Sequence, residues 1–361
     1  MPYTVYADFA GGLDRRKTQV TTLPGALYTL ENAFINAGGE IEKRKTFTSV
    51  VSLPAGTHGL GFVNDTCYVF GTGADPGVSG YATYEQLVPA TGTPSVVSVD
   101  DVSRFADKNY VTATMDDSST RHFFDGAEVA GRLNQGVSVV PHKTKMYAAD
   151  GKDLYFSAVN DPGDTIGTGS GLIDITAQDV GSTEILGIEQ YYGFLGIFGQ
   201  LSIQLWTMDP DPLLNVQEQV LANIGLVGRH AVSRYGTGDV LFLSHTGIRS
   251  LRARDSSNAA VLNDVGSPID NLIAVKRATM TPSEAALIRA VVDPLTGHFW
   301  MVWENDIYVL SLYPASKVTA WSIPSSFTRR SKSGRRSPRP ARTKRKPPED
   351  LTASAVARRR L

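Results

Sequence analysis

Six times along the chain a run of strand-forming residues stops at a short polar turn and resumes, and this repeat limits the fold more than any other feature. Leu60–Val63 turns at Asn64-Asp65 into Thr66–Phe70, and Tyr110–Met115 turns through Asp116–Ser119 into Thr120–Phe124. Lys145–Ala149 turns at Asp150-Gly151 into Asp153–Ala158, and Tyr192–Phe198 turns at Gly199-Gln200 into Leu201–Met208. Val240–Leu243 turns through Ser244–Gly247 into Ile248–Arg252, and His298–Trp303 turns through Glu304–Asp306 into Ile307–Leu312. Turn residues of these types supply positive φ and local side-chain hydrogen bonds, so each unit reads as a β-hairpin. The turns recur roughly every 48 residues, within the range of propeller-blade periods. The expected fold is therefore mainly β, a β-propeller-like array of about six hairpin blades.

The charge balance divides the chain. The net charge of −1 averages two unlike parts. Residues 327–361 carry 13 Lys/Arg against Glu349 and Asp350, a net +11, which leaves 22 basic and 34 acidic residues, or −12, in the rest. Three segments follow: 1–47 as an N-terminal docking segment, 48–326 as the propeller-like body, and 327–361 as a disordered Arg/Pro/Ser-rich tail with too few apolar side chains to offset the entropy of ordering. The docking segment begins with an extended Tyr3–Phe9 and a Gly11-Gly12 turn. A short helix is expected around Ala26–Asn36, between Pro24-Gly25 and Gly38-Gly39. Two helical insertions are expected in the body. Pro212–Asn223 sets Leu213, Val216, Val220 and Leu221 at helical spacing, and Pro282–Val292 opens with the start signal Thr281-Pro282-Ser283-Glu284.

Most classes of chemistry find no foothold. A single cysteine, Cys67, excludes a disulfide framework and a Cys-based zinc site, and its place in an apolar strand reads as an inert buried thiol. Met1–Tyr6 lacks the basic and apolar regions of a signal peptide, and no apolar run reaches the ~18 residues of a membrane span. Gly71-Thr72-Gly73 and Gly167–Gly171 lack the Gly-Lys-Ser/Thr of a phosphate loop. Asp209-Pro210-Asp211 and Asp161/Asp164 read as turn caps, because the fixed ligand spacing of a calcium loop is missing. His58, His122, His142, His230, His245 and His298 are scattered, none at the i, i+4 spacing of a helical zinc site. The sequence thus nominates no catalytic, cofactor-binding or metal residue, and no cofactor. The basic tail has three readings: a nucleic-acid-binding arm, a solvated tail, or a peptide that was never selected. The abrupt end of strand chemistry after Trp321 favours the last, as a shifted reading frame would produce.

Two stretches resemble a known family. Asp8-Phe9-Ala10-Gly11-Gly12-Leu13-Asp14-Arg15-Arg16, with Leu23-Pro24-Gly25, Asn32-Ala33-Phe34 and Gly38-Gly39-Glu40-Ile41-Glu42-Lys43-Arg44, resembles the start of the tail nozzle proteins of short-tailed phages, also known as tail tubular protein B. Gly247–Ala260, with Asn263-Asp264-Val265-Gly266 and Pro268-Ile269-Asp270, is similar to a segment that recurs in such proteins, and the Met208–Pro212 run fits the same picture. The resemblance implies a structural virion protein, made in the bacterial host cytoplasm and located in the tail. It implies a hexameric ring of copies that encloses the DNA ejection channel, docks on an adaptor ring of the tail tubular protein A kind, contacts tail fibres, and touches ejected DNA only transiently. Six bodies of −12 would surround that channel with about −72, a field that repels phosphates at short range. The basic Arg15–Lys17 and Glu42–Lys45 segments suit subunit or adaptor contacts, or equally a solvated face. Family members are longer, and the Arg-rich end matches nothing in them. Two further readings stand beside this one: a receptor- or glycan-binding propeller of the tail tip, which calls for surface aromatic clusters, and a propeller hydrolase.

Overall fold

The computed structural model describes residues 8–45, 52–63, 66–75, 77, 83–90, 94–129, 136, 138–175, 184–236, 238–253 and 260–324. Six sheets follow one another along the chain. The first has three strands, Thr57–Val63, Thr66–Gly71 and Thr83–Gln86, the third parallel to the second. The other five are four-stranded antiparallel sheets in simple chain order, spanning 96–128, 138–174, 185–222, 232–263 and 289–322. Together they are blades 1 to 6 of a β-propeller-like array. Each blade's first strand packs against the first strand of the next, from Thr57–Val63 through Val96–Phe105, Ser138–His142, Ile185–Tyr191 and Val232–Tyr235 to Arg289–Val292.

All six expected hairpins form. In blades 2 to 6 they are the second and third strands, and in blade 1 the first and second. The Asn64-Asp65 turn lies outside the described residues. In blades 2 to 5 these strands stood out because neighbouring blades cover both of their faces, which makes them nearly continuous apolar runs. Every residue of Asp239–Ser244, for example, is buried. The hydrophobic clusters accordingly lie between consecutive blades. Phe70, Val96 and Val111 join blades 1 and 2, Tyr110, Val139 and Met146 join blades 2 and 3, and Leu154, Ile188 and Leu195 join blades 3 and 4. Phe198, Phe242, Phe299 and Trp303 belong to the largest core, which spans blades 4 to 6.

Three helical expectations need correction. Residues 26–36 are not helical: Ala26–Leu27 pairs in parallel with Gly12–Leu13, and Ala33–Ile35 forms a hairpin with Ile41–Lys43. The flanking glycines serve hairpin and strand turns rather than helix ends. Pro212–Asn223 keeps only a 3-10 turn at Pro212–Leu214, capped by the Asp211 side chain, before Val216–Ala222 runs as the outer strand of blade 4. Its burial alternates residue by residue, a period of two that the Leu/Val spacing concealed. Pro282–Leu287 is a helix with the full Thr281/Glu284 capping box, but Arg289–Val292 is the first strand of blade 6. A helix at Asp270–Arg277 escaped the sequence reading.

The N-terminal segment is a clasp on blade 6. Asn32 N donates to Ile323 O at 3.2 Å, and Ile323 N donates to Leu30 O at 3.0 Å. Leu13, Leu30, Ala33 and Ile35 enter the same core as Trp321. Gly12 makes this approach possible: it adopts φ +54, and a Cβ there would lie 2.6 Å from Ala320 Cβ. The extended Tyr3–Phe9 falls mostly outside the described residues, as does the tail, which belongs to a separate unit, Thr328–Leu361.

Candidate functional site in the axial cavity

The first strands of all six blades enclose a cavity of about 570 Å³. This volume falls in the ~300–1,000 Å³ range of small-molecule sites. Because each of these strands is an edge of its own sheet, its free backbone groups must find partners across the blade boundary. His58 Nδ1 lies 3.1 Å from Val97 O, between blades 1 and 2. Ser103 Oγ donates to Val139 O at 2.9 Å, and Val139 N donates to Asp101 Oδ2 at 3.2 Å, between blades 2 and 3. Gln190 Nε2 donates to Pro141 O, and Arg234 Nη1 donates to Gln190 Oε1 at 2.9 Å, which links blades 3, 4 and 5. Ala290 N donates to His230 O at 2.8 Å, between blades 5 and 6. Pro141 is tolerated here because an edge strand has no sheet partner waiting for its missing N–H.

The wall is charged. Asp100, Asp101 and Glu189 face the cavity with Arg229, Arg234 and Arg289. Asp101 accepts hydrogen bonds from Val102 N and Val139 N, yet burial pushes its carboxyl up to about 6. Burial, reinforced by the Asp101 charge, pushes Glu189 up to about 7 against hydrogen bonding from the Gln190 and Arg234 backbone. Both residues keep some accessible surface, but it opens onto a cavity walled by six strands. Burial also lifts Asp100, whose Oδ2 accepts from Thr114 Oγ1 at 2.7 Å. Burial holds His230 down at about 3, with the Arg289 and Arg229 charges adding to it, so its ring is neutral. Two carboxylates poised near neutrality beside arginines can exchange protons or bind a polar ligand. None of these residues was nominated from sequence. The available signal was an isolated charge inside strand-compatible sequence just before a hairpin, as in Val99-Asp100-Asp101-Val102 and Ile188-Glu189-Gln190-Tyr191.

The groups weighed from sequence lie elsewhere, His230 apart. Cys67 is half-buried, and burial raises its thiol. Asp161 and Asp164 are turn caps, Asp161 accepting from Gly163 N and Asp164 N, and Asp164 from Ile166 N and Gly167 N. Asp209 and Asp211 cap the Asp211 and Leu213 amides. The Gly167–Gly171 loop covers a buried lysine: Lys145 Nζ donates to Gly169 O at 2.6 Å. His122 bridges Tyr110 OH and Gly136 O in the core, while His298 approaches Tyr313 and His245 approaches the Gln200 carbonyl. His142 is buried against Tyr147. Among the described residues no three His, Cys, Asp or Glu side chains are placed to hold a metal, and no helix is long and apolar enough to cross a membrane.

No protein-family model matches the chain, and no curated protein matches it. Loosely similar solved structures include the Neurospora crassa Pan2 WD40 domain, 9% identical over 63% of this chain and 65% of that one, with a TM-score of 0.38. The AfRom2 CNH domain is 6% identical over 59% of this chain and 68% of that one, with a TM-score of 0.35. The extracellular domain of a protein described as a hybrid two component system from B. thetaiotaomicron is 10% identical, with a TM-score of 0.35. That likeness covers 57% of this chain, which spans only 26% of the larger structure. Likenesses this loose say nothing about what the chain binds or does.

Proposed function

We propose that the chain is a structural virion protein of a phage tail, a subunit of a nozzle-like ring that encloses the DNA ejection channel and docks on an adaptor ring. One observation carries this reading. The two stretches that resemble nozzle proteins meet in space although Arg15 and Asn271 are 256 residues apart. Arg15 N donates to Pro268 O at 2.7 Å, and Asn271 Nδ2 donates to Arg15 O at 3.0 Å. Beside them Arg249 pairs with Asp264 at 2.9 Å and with Asp270 at 3.0 Å. Gly247 permits the second pair, since a Cβ there would lie 2.0 Å from Asp270 Oδ1. Likeness spread over distant segments that fold into one contact is what a shared docking surface requires.

In this reading the role is non-catalytic, the copies form a six-membered ring, and DNA passes through the ring's lumen. The propeller axis does not serve as the conduit, because its cavity has the size of a small-molecule site. A body of −12 keeps phosphates from adhering to the lumen wall. Tail fibres are further partners. A glycan-binding tip propeller draws less support, since among the described residues Tyr192 is the one exposed aromatic. The test is negative-stain imaging and mass photometry of the full chain, alone and with the adaptor ring. Closed six-fold rings that co-migrate with the adaptor are expected. A chain that stays monomeric at every concentration and ignores the adaptor overturns the proposal.

A further inference from the structure

We infer that the axial cavity binds a small oxyanion, a carboxylate or phosphate group, between Arg229 and Arg289. The inference does not depend on the virion reading. Arg229 and Arg289 each immediately precede a residue of the blade 5 to blade 6 bond, Ala290 N to His230 O at 2.8 Å. That bond fixes the starts of the two strands side by side, both arginines line the same cavity, and the Arg229 charge is near enough to act on Arg289. Neither makes an ion pair within 4 Å among the described residues. Among the described residues Arg289 hydrogen-bonds only through Nη1, which donates to Ala286 O and Ile288 O, leaving Nε and Nη2 to a ligand. His230, neutral and among the described residues without a hydrogen-bond partner on its ring, lines the same cavity and offers a further N–H.

Two guanidinium charges lining one cavity repel each other, and an anion lying between them relieves that repulsion. The same planar forks match two oxygens of a carboxylate or phosphate. Asp100 and Asp101 offset part of this charge from a distance. They do so without direct contact, and their carboxylates are already occupied by Thr114 and by backbone amides. The positive pair sits where blades 5 and 6 begin, and Glu189 lines the same cavity from the neighbouring blade 4. A ligand with an anionic end and hydroxyl or amine donors at the other end would satisfy both.

The experiment is calorimetric titration and thermal melting of the full chain with inorganic phosphate, and separately with citrate, at matched ionic strength. Sodium chloride controls for screening and for the basic tail. Wild type is expected to bind one equivalent saturably, with whichever of phosphate or citrate binds tighter naming the oxyanion source. Loss of a charge-assisted contact is worth about 1.5–3 kcal/mol, so Arg289→Gln and Arg229→Gln should each weaken binding roughly ten- to hundredfold. Both variants keep the tail; Arg289→Gln also loses the donations to Ala286 O and Ile288 O, so affinity is its readout, whereas Arg229→Gln should leave the unliganded melting temperature unchanged or raised. The inference is overturned if wild type and variants bind alike or if no saturable binding occurs.

Discussion

Glu189→Gln isolates the energetic consequence of a charged cavity wall. Burial and the facing Asp101 charge raise Glu189 from 4.5 to about 7. The folded chain therefore binds this proton more tightly than the unfolded chain does. The contribution of Glu189 to stability should fall as pH rises from about 4.5 through 7 and then level off. At about 1.4 kcal/mol per unit, the full effect has a ceiling of about 3 kcal/mol. Between pH 5 and pH 8 the part that develops is about 2 kcal/mol, since some ionisation of the unfolded chain has already occurred at pH 5. Gln is nearly isosteric with protonated Glu and still accepts from Gln190 N, a bond of 2.9 Å in the wild type. The variant should thus resemble wild type at acid pH and exceed it by about 2 kcal/mol more at pH 8. Urea unfolding followed by the fluorescence of Trp206, Trp300, Trp303 and Trp321 at the two pH values measures this, and the comparison cancels every other titrating group. Parallel stability profiles for the two proteins would refute the reasoning.

Other perturbations address other parts of the fold. Gly12→Val should cost about 2–4 kcal/mol through left-handed strain and collision with Ala320, whereas Gly56→Ala, at φ +83 with nothing within 4 Å, should cost only the strain; paired melting temperatures test this. Trp321→Ala should cost about 3–5 kcal/mol by emptying a fully buried site and orphaning the Val265 carbonyl, which accepts from Nε1 at 2.8 Å; denaturant midpoints measure it. Burial holds His122 down at about 4, so its folded ring stays neutral while an unfolded ring protonates near 6.5. Its contribution to stability is complete above 6.5 and is lost as pH falls through about 4, and an imidazole NMR titration showing His122 protonated at pH 6 would contradict this. Removing residues 328–361 should leave the melting temperature of the remaining unit unchanged while making the protein strongly acidic, which calorimetry and isoelectric focusing check.

What the sequence revealed follows burial on two faces. The hairpin strands Val240–Leu243 and Val309–Leu310 are buried throughout, the first between blades and the second between blade 5 and the clasp, so both read as strands without reference to distant residues. First strands are different. Val96–Phe105 carries Asp100 and Asp101 and two irregularities in its pairing, because one side meets the cavity. No local pattern marks such a strand, and the charges that form the site were the same residues that hid it. Val216–Ala222 failed for a related reason. Leu213, Val216 and Val220 are exposed, so helical spacing among them had no core to report. The clasp was legible as a motif, Gly11-Gly12-Leu13, but not as a structure, since its partners Ala320 and Trp321 lie about three hundred residues away.

That separation has a consequence for synthesis. Leu30, Phe34 and Ile35 leave the ribosome well before Val318–Ser322, the blade 6 strand on which the clasp packs. At about 5–20 residues per second, the clasp waits roughly 15–60 s for blade 6. Closing so long a loop is a late event, because the entropy of bringing its ends together comes before any contact rewards it. During that interval the apolar residues of the clasp are open to other nascent copies and to chaperones. Blades 2 to 5 need no such wait, since each packs against a neighbour made just before it. Folding of this chain is therefore vectorial up to its last strand, and only then does its beginning find its place.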